Sequence, residues 1–354
     1  MDHSENQPTA NFRLTQYAHG AGCGCKISPA ALEQILQHAN QQPHFSQLLV
    51  GYEHRDDAAV LDLGNGQGLI ATTDFFMPIV DEAYDFGRIA AANALSDVYA
   101  MGGKPLLALA ILGWPVSKLP ASLAHEVVEG ARAMCAEAHI PLAGGHSIDA
   151  PEPIFGLCVN GLAPITQIKR NHTVRPGDLI FLTKPIGIGI LTTAAKKGLV
   201  QATHQLLAIQ WMTRLNKAGS WLGSQQAVSA MTDVTGFGLL GHLLEMVADT
   251  ACSAILDKSR VPLLTDALWD YISAGAVPGG TQRNWDSYGH RVALADKQWI
   301  PLLADPQTSG GLLFTVSAPA ANEIAGQLQS LFPDIRAYCI GRIIPKAEKP
   351  IIVE

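Results

Sequence analysis

The chain has 354 residues, a net charge of −7 and no cluster of Lys and Arg. Nucleic acid is thereby disfavoured as a principal partner, because a phosphate backbone demands concentrated positive charge. The length exceeds the usual single core and predicts two domains, and no run of about eighteen apolar residues marks a membrane span. Residues 1–8 are polar, without the apolar core of a signal peptide. Six scattered cysteines do not form a disulfide framework, and Cys135, Cys158, Cys252 and Cys339 sit in apolar settings that read as core. The expected location is a reducing cytoplasm, with no membrane partner. The acidic balance leaves carboxylates that could hold divalent cations.

In chain order, residues up to about 16 read as loosely attached. Next comes Gly20-Ala21-Gly22-Cys23-Gly24-Cys25-Lys26. Its glycines admit dihedrals that other residues resist, so the segment could fold over a ligand and bring a sulfur to it. Lys26 and His19 lie close in sequence, and a nearby cation favours the thiolate. A mobile lid with a reactive cysteine is one reading and a plain flexible tail is the other. The single residue between Cys23 and Cys25 suits neither a redox pair nor a zinc knuckle.

Helical spacing over 30–41 places Leu32, Ile35 and Leu36 on one face. Strands are predicted at 48–52, 58–63 and 69–76, the last two joined as a hairpin by Gly64-Asn65-Gly66. Asp85 reads as the N-cap of a helix to about Met101, ended by Gly102-Gly103. A buried strand at 106–114, a helix at 120–138 and strands at 141–145 and 154–162 follow. Polar residues, proline and glycine at 164–177 mark the domain boundary. Beyond it, strands are expected at 179–183, 253–257, 311–316 and 337–343. Helices are expected at 189–197, 204–222, 238–247 and 319–331. Mixed ordering of this kind predicts an α+β fold.

The carboxylates form a second pattern. Asp56-Asp57 follows Arg55 between two strands, and Asp74 closes a strand. Asn93 and Asp97 share a helix face, and Asp233 precedes a helix. Acidic residues at the ends of buried elements are costly unless paired or holding a cation. Each could instead be a cap or turn residue, which is how Asp85 and Asp149 are read. Magnesium takes oxygen ligands and bridges carboxylates to phosphates. Two loops, Ala143-Gly144-Gly145-His146-Ser147 and Asp305-Pro306-Gln307-Thr308-Ser309-Gly310-Gly311, offer backbone amides of the kind that form anion nests. No Walker A sequence and no protein-kinase signature set is present.

Taken together, these segments resemble the selenophosphate synthetases, or selenide, water dikinases. The likeness runs through His19–Lys26 and Arg55-Asp56-Asp57-Ala58-Ala59-Val60, then Thr72-Thr73-Asp74-Phe75-Phe76. It continues through Asn93–Pro105, Gly144–Asp149, Met231–Gly238 and Asp305–Gly311, in order along nearly the whole chain. The Cys-bearing loop is specific to that family; the aspartate segments are shared with the wider aminoimidazole-ribonucleotide-synthetase-like superfamily. The resemblance implies that ATP, selenide and water give selenophosphate, AMP and orthophosphate. It implies two domains with mixed sheets covered by helices, in a homodimer whose N-terminal sheets join in a barrel. The segments would be a flexible glycine-rich lid at 1–26, an ATP- and metal-binding, dimerising domain at 27–168 and a C-terminal α+β domain at 169–354. By the same resemblance Cys23 and Lys26 are catalytic. Lys26, His54, Arg55, Asp56, Asp74, Asp97, Gly145, His146 and Ser147 contact nucleotide, and Asp57, Asp97 and Asp233 bind magnesium. Potassium is a further candidate cofactor, and a selenium-delivery protein a candidate partner.

Two other readings compete. A different ATP-using enzyme of the superfamily would lack the Cys-Gly-Cys-Lys lid. A non-catalytic thiol protein carrying selenium or zinc would explain Cys23, Cys25 and His19 but leave the distant aspartates without purpose.

Overall fold

The turn at Gly64–Gly66 joins β2 (Ala59–Asp62) to β3 (Gln67–Phe76) as an antiparallel hairpin. Both glycines take positive φ, 77° and 81°, which a residue with a Cβ resists. Asp62 Oδ1 accepts the Gly64 amide at 2.7 Å, and Asn65 Oδ1 the Gln67 amide at 3.1 Å. The computed structural model describes residues 12–27, 35, 45–51 and 54–354. The helix expected over 30–41 lies outside the described residues, apart from position 35. So does Tyr52, and the first strand, β1, is Leu48–Val50.

The first sheet has the order β1-β2-β3-β6-β4-β5, with β4 at Lys104–Trp114, β5 at Leu142–Asp149 and β6 at Ile154–Pro164. Only the β4–β5 pairing is parallel, so the sheet is mixed. Helix α1 (Ala83–Ala100) and helix α2 (Ala121–Glu137) follow β3 and β4 in the chain. Phe86, Ile89, Leu95, Phe155 and Leu157 fill the core there, each burial contributing about 1.5–3 kcal/mol. The second sheet has the order β10-β13-β9-β12-β7-β11-β8 and is also mixed. Its strands are β7 (Asp178–Leu182), β8 (Val228–Asp233), β9 (Cys252–Leu256), β10 (Val292–Leu294), β11 (Leu312–Ser317), β12 (Tyr338–Pro345) and β13 (Ile351–Val353). The observed class is two-domain α+β with mixed sheets.

Several expectations need correction. Residues 12–16 are anchored: Leu14 is buried, and the backbone amide and hydroxyl of Thr15 donate to Asp81 Oδ1. Asp85 lies within the first turn of α1, paired with Arg88 at 3.0 Å, and Glu82 is the N-cap. Strand β4 is not buried throughout: Leu106 and Leu109 are exposed, and since they are three positions apart this follows from the register shift at Pro105/Leu107 and not from simple alternation. The segment 204–222 is two helices, α3 (Ala202–Met212) and α4 (Ala218–Ser224). They part where buried Asn216 turns inward to donate to Ser96 Oγ and Gly310 O. Residues 143–147 are not a loop but lie within β5.

Candidate active site

Helix α1 carries the polar face on which the site is built. Its alanine-rich sequence has high helix propensity and is buried on nearly every side. Asn93, Ser96 and Asp97 are three and four residues apart, so they project from one face into the interior. Each is met by hydrogen bonds, as burial requires. Asn93 Nδ2 donates to Asp74 Oδ2 at 2.5 Å, and Thr72 Oγ1 to Asp97 Oδ2 at 2.5 Å. Ser96 Oγ donates to Asp233 Oδ2 at 2.5 Å. Thus β3, α1 and β8, from both halves of the chain, hold one acidic cluster.

Asp57 joins it from the segment before β2, where Thr232 Oγ1 donates to Asp57 Oδ1 at 2.8 Å. The other Asp57 oxygen is buried without a hydrogen-bond partner. Burial, then the charges of Asp233 and Asp97, push the Asp57 carboxyl well above the usual range. Burial and the charges of Asp233 and Asp74 do the same to Asp97. Burial raises Asp233 against the lowering bond from Ser96. Among the described residues no three His, Cys, Asp or Glu side chains form a complete cage for an ion. The donor set nonetheless fits magnesium, which uses one or two carboxylates and completes its shell with water and phosphate. The orphan Asp57 oxygen and the mutual repulsion are what a hard dication would relieve.

The N-terminal turn closes on this cluster. Residues Gly22–Cys25 form a 3-10 turn, and Cys23 is buried. Its amide donates to Thr308 Oγ1 at 3.0 Å, and its Sγ to Asn93 Oδ1 at 3.3 Å. Part of Lys26 is open to solvent. Burial lowers the affinity of its amine for a proton, but the charges of Asp74, Cys23, Asp97 and Asp233 together outweigh that and raise it above the ordinary value. His19 does not face the thiol: its Nδ1 pairs with Glu152 at 2.9 Å. Cys23, Lys26, Asp57, Asp74, Asp97 and Asp233 are therefore brought together.

The segment 305–311 is buried and is not an open anion nest. Its Ser309 amide donates to Asn93 Oδ1 at 2.7 Å, and Ser309 O accepts from Lys184 Nζ at 2.8 Å. Burial brings Lys184 down to about 7.

The remaining expected residues are placed differently. Asn171 Nδ2 donates to His54 O and Arg55 O, both at 3.1 Å, and Asn171 N donates to Asp56 Oδ1 at 2.8 Å. This holds Arg55 in the left-handed region, at φ 57°. Asp56 thus ties its loop to the segment at Asn171, and the His54 ring stacks on His172 with centroids 3.9 Å apart. Gly145, His146 and Ser147 lie on the edge strand β5 and are exposed. The register runs Asp74, Leu157, Ala110, Gly145 across four strands. At the usual strand spacing this puts Gly145 about 14 Å from Asp74. Gly145 is required where it stands, because a Cβ would collide with Ala110 O on β4.

Sequence reasoning did not single out Thr72, Ser96, Thr232 or Thr308, which orient the acidic and thiol groups. All lie within or beside quoted motifs, so a hydroxyl next to a functional aspartate was the available signal. Asn171 had none.

The chain matches the models of the AIR synthase related protein N-terminal domain over residues 55–163 and C-terminal domain over residues 175–354. A protein of Photorhabdus laumondii named selenide, water dikinase is 59% identical over 320 residues, 89% of this chain and 91% of that one. The protein of that name from Escherichia coli is 54% identical over 344 residues, 97% of this chain and 98% of its own. The crystal structure of thiamine-monophosphate kinase from Stenotrophomonas maltophilia shares the fold. Its TM-score is 0.65 at 20% identity, covering 92% of this chain and 96% of that one. Matched at this identity along almost its full length, with both superfamily domains in order, the chain belongs to the selenide, water dikinase family.

Proposed function

We propose that the protein makes selenophosphate from ATP, selenide and water, releasing AMP and orthophosphate. The observation that carries this reading is the meeting of Cys23 and Lys26 with the acidic cluster of Asp57, Asp74, Asp97 and Asp233. A thiol among carboxylates suits a reaction that joins a soft selenium nucleophile to a phosphate. In the first half, the selenium–phosphorus bond forms as the bond from the γ-phosphorus to its bridging oxygen breaks. Water then cleaves the remaining diphosphate to AMP and orthophosphate.

Magnesium, held by Asp57, Asp97 and Asp233, would neutralise the phosphates and polarise the transferred group. The chain's own residues do the positioning on which phosphoryl transfer depends. Ser96 and Thr72 fix the Asp233 and Asp97 carboxylates, and Lys26 adds a positive charge over the phosphates. Cys23 handles selenium on the side away from the hard oxygen ligands. His54, Arg55, Asp56, Asp74 and Asp97 contact the nucleotide.

Gly145, His146 and Ser147 complete that contact from the second copy of a homodimer. The open face of the first sheet, with Leu61, Phe75, Leu106, Leu109 and Ile148 exposed, suits the barrel such a dimer would close. The turn at residues 22–25 acts as a lid, here in its docked position. Potassium and a selenium-delivery protein complete the proposed set, in a cytoplasm that keeps the thiols reduced. The boundaries 1–26, 27–168 and 169–354 follow the change from lid to first to second sheet.

Anaerobic phosphorus NMR with ATP, magnesium and selenide tests this. Selenophosphate, AMP and orthophosphate are expected in equal amounts. ADP as the final product would refute it.

A further inference from the structure

A small cavity opens beside the thiol-bearing turn, lined by Cys23, Lys26, Phe237, Arg283 and Asn284 and neighbouring backbone. Among the described residues its only charged lining residues are Lys26 and Arg283, both cationic. The acidic cluster acts on Lys26, but none of its aspartates lines the cavity. Arg283 stands on the helix Gly279–Tyr288 and is exposed. Its Nη2 donates to Gly24 O at 3.0 Å, and among the described residues it forms no ion pair. The Asn284 amide is committed to Gly236 O and Ala304 O, which fixes this helix against the loop before it.

We propose that this cavity is the entry port for the selenium substrate, with Arg283 as the residue that captures it. The inference rests on the functional reading above and adds the ligand's chemistry. Hydrogen selenide is a strong enough acid to be the soft monoanion HSe⁻ near neutrality. Such an anion is repelled from the carboxylate side of Cys23 and drawn along the wall that carries Lys26 and Arg283. Arg283 keeps further N–H donors beside the one given to Gly24, so it can receive an anion while holding the turn. Lys26, between port and carboxylates, carries the attraction inward. Nucleotide and selenium thus approach Cys23 from opposite electrostatic sides.

Two measurements on the full chain test the port. In steady state, Arg283→Gln should raise the KM for selenide about five- to tenfold, the scale of lost electrostatic steering. kcat and the KM for ATP should stay within about twofold. Arg283→Lys should restore most of the loss, and added salt should weaken selenide use less in Arg283→Gln than in the native chain. The second measurement needs no selenium or ATP. The rate of Cys23 alkylation by anionic iodoacetate is divided by that by neutral iodoacetamide, with the site read by fragment mass spectrometry. The ratio cancels any loosening of the turn, which would speed both reagents alike. It should fall several-fold in Arg283→Gln and recover in Arg283→Lys. An unchanged ratio, or an unchanged KM for selenide in an active enzyme, overturns the port. If the ratio falls while the native chain makes no AMP with selenide, the functional reading fails and the anion port stands.

Discussion

Cys23 Sγ and the backbone amide of Ser309 donate to the same oxygen, Asn93 Oδ1, at 3.3 and 2.7 Å. One carboxamide on α1 therefore joins the N-terminal turn to the 305–311 segment of the second half. Through its Nδ2 it also holds Asp74. The thiol is positioned by both domains at once.

Replacing Cys23 by serine keeps a donor for Asn93, so the turn should still dock. Selenide-dependent AMP formation should fall about 100-fold or more, because the hydroxyl lacks the soft, readily ionised sulfur. ATP affinity, measured by calorimetry, should change less than about twofold. Full activity in Cys23→Ser would remove the thiol from the mechanism.

Asp97→Ala removes one of three mutually repelling carboxylates and the acceptor of Thr72. The magnesium concentration for half-maximal nucleotide binding should rise by at least the roughly 10- to 100-fold seen when residues that merely orient ligands are lost. An ATP affinity that is the same with and without magnesium in the native chain would defeat the metal assignment.

Asp305 gives a pH signature apart from the metal cluster. Burial pushes its carboxyl up to about 8, against the lowering bonds from Gln307 and the amides of Gly189 and Ile190. The folded state then keeps a proton that the unfolded chain releases near the ordinary carboxyl value of 3.8. This group's contribution is fully present below that value and is lost as pH rises through about 8. Asp305→Asn cannot titrate, so its melting temperature should fall less than that of the native chain between about pH 5 and 7. Equal slopes would show that Asp305 stays ionised when folded.

Gly22→Ala should displace the turn without unfolding the domains. Gly22 has φ 50°, and an added Cβ would collide with Thr308 Oγ1 and Ile79 Cδ1. Cys23 should be alkylated by iodoacetamide about tenfold faster, since a strain of about 1–2 kcal/mol shifts the docked population by that order. Activity should fall with it, while far-ultraviolet circular dichroism stays unchanged. Unaltered alkylation would mean that the turn accommodates the methyl group.

The elements legible in the sequence were those with local causes. The hairpin at Gly64–Gly66, the helix 121–137 and the strands β3, β6, β7 and β11 follow from periodicity and turn residues that act over a few positions. The candidate residues Cys23, Lys26, Asp57, Asp97 and Asp233 could be named because their motifs are compact and carry groups that burial makes costly. Only tertiary structure decided that Asp57, from before β2, meets Thr232 on β8, or that Asn216 divides one expected helix into two. Nothing local marks Asn171 as the clamp on residues 54–56, or turns His19 to Glu152 and away from the thiol. Local propensity is a sum over neighbours in the chain. Hydrogen bonds between residues as far apart as Cys23 and Thr308 exist only after the two halves have packed and excluded the water that would otherwise satisfy them.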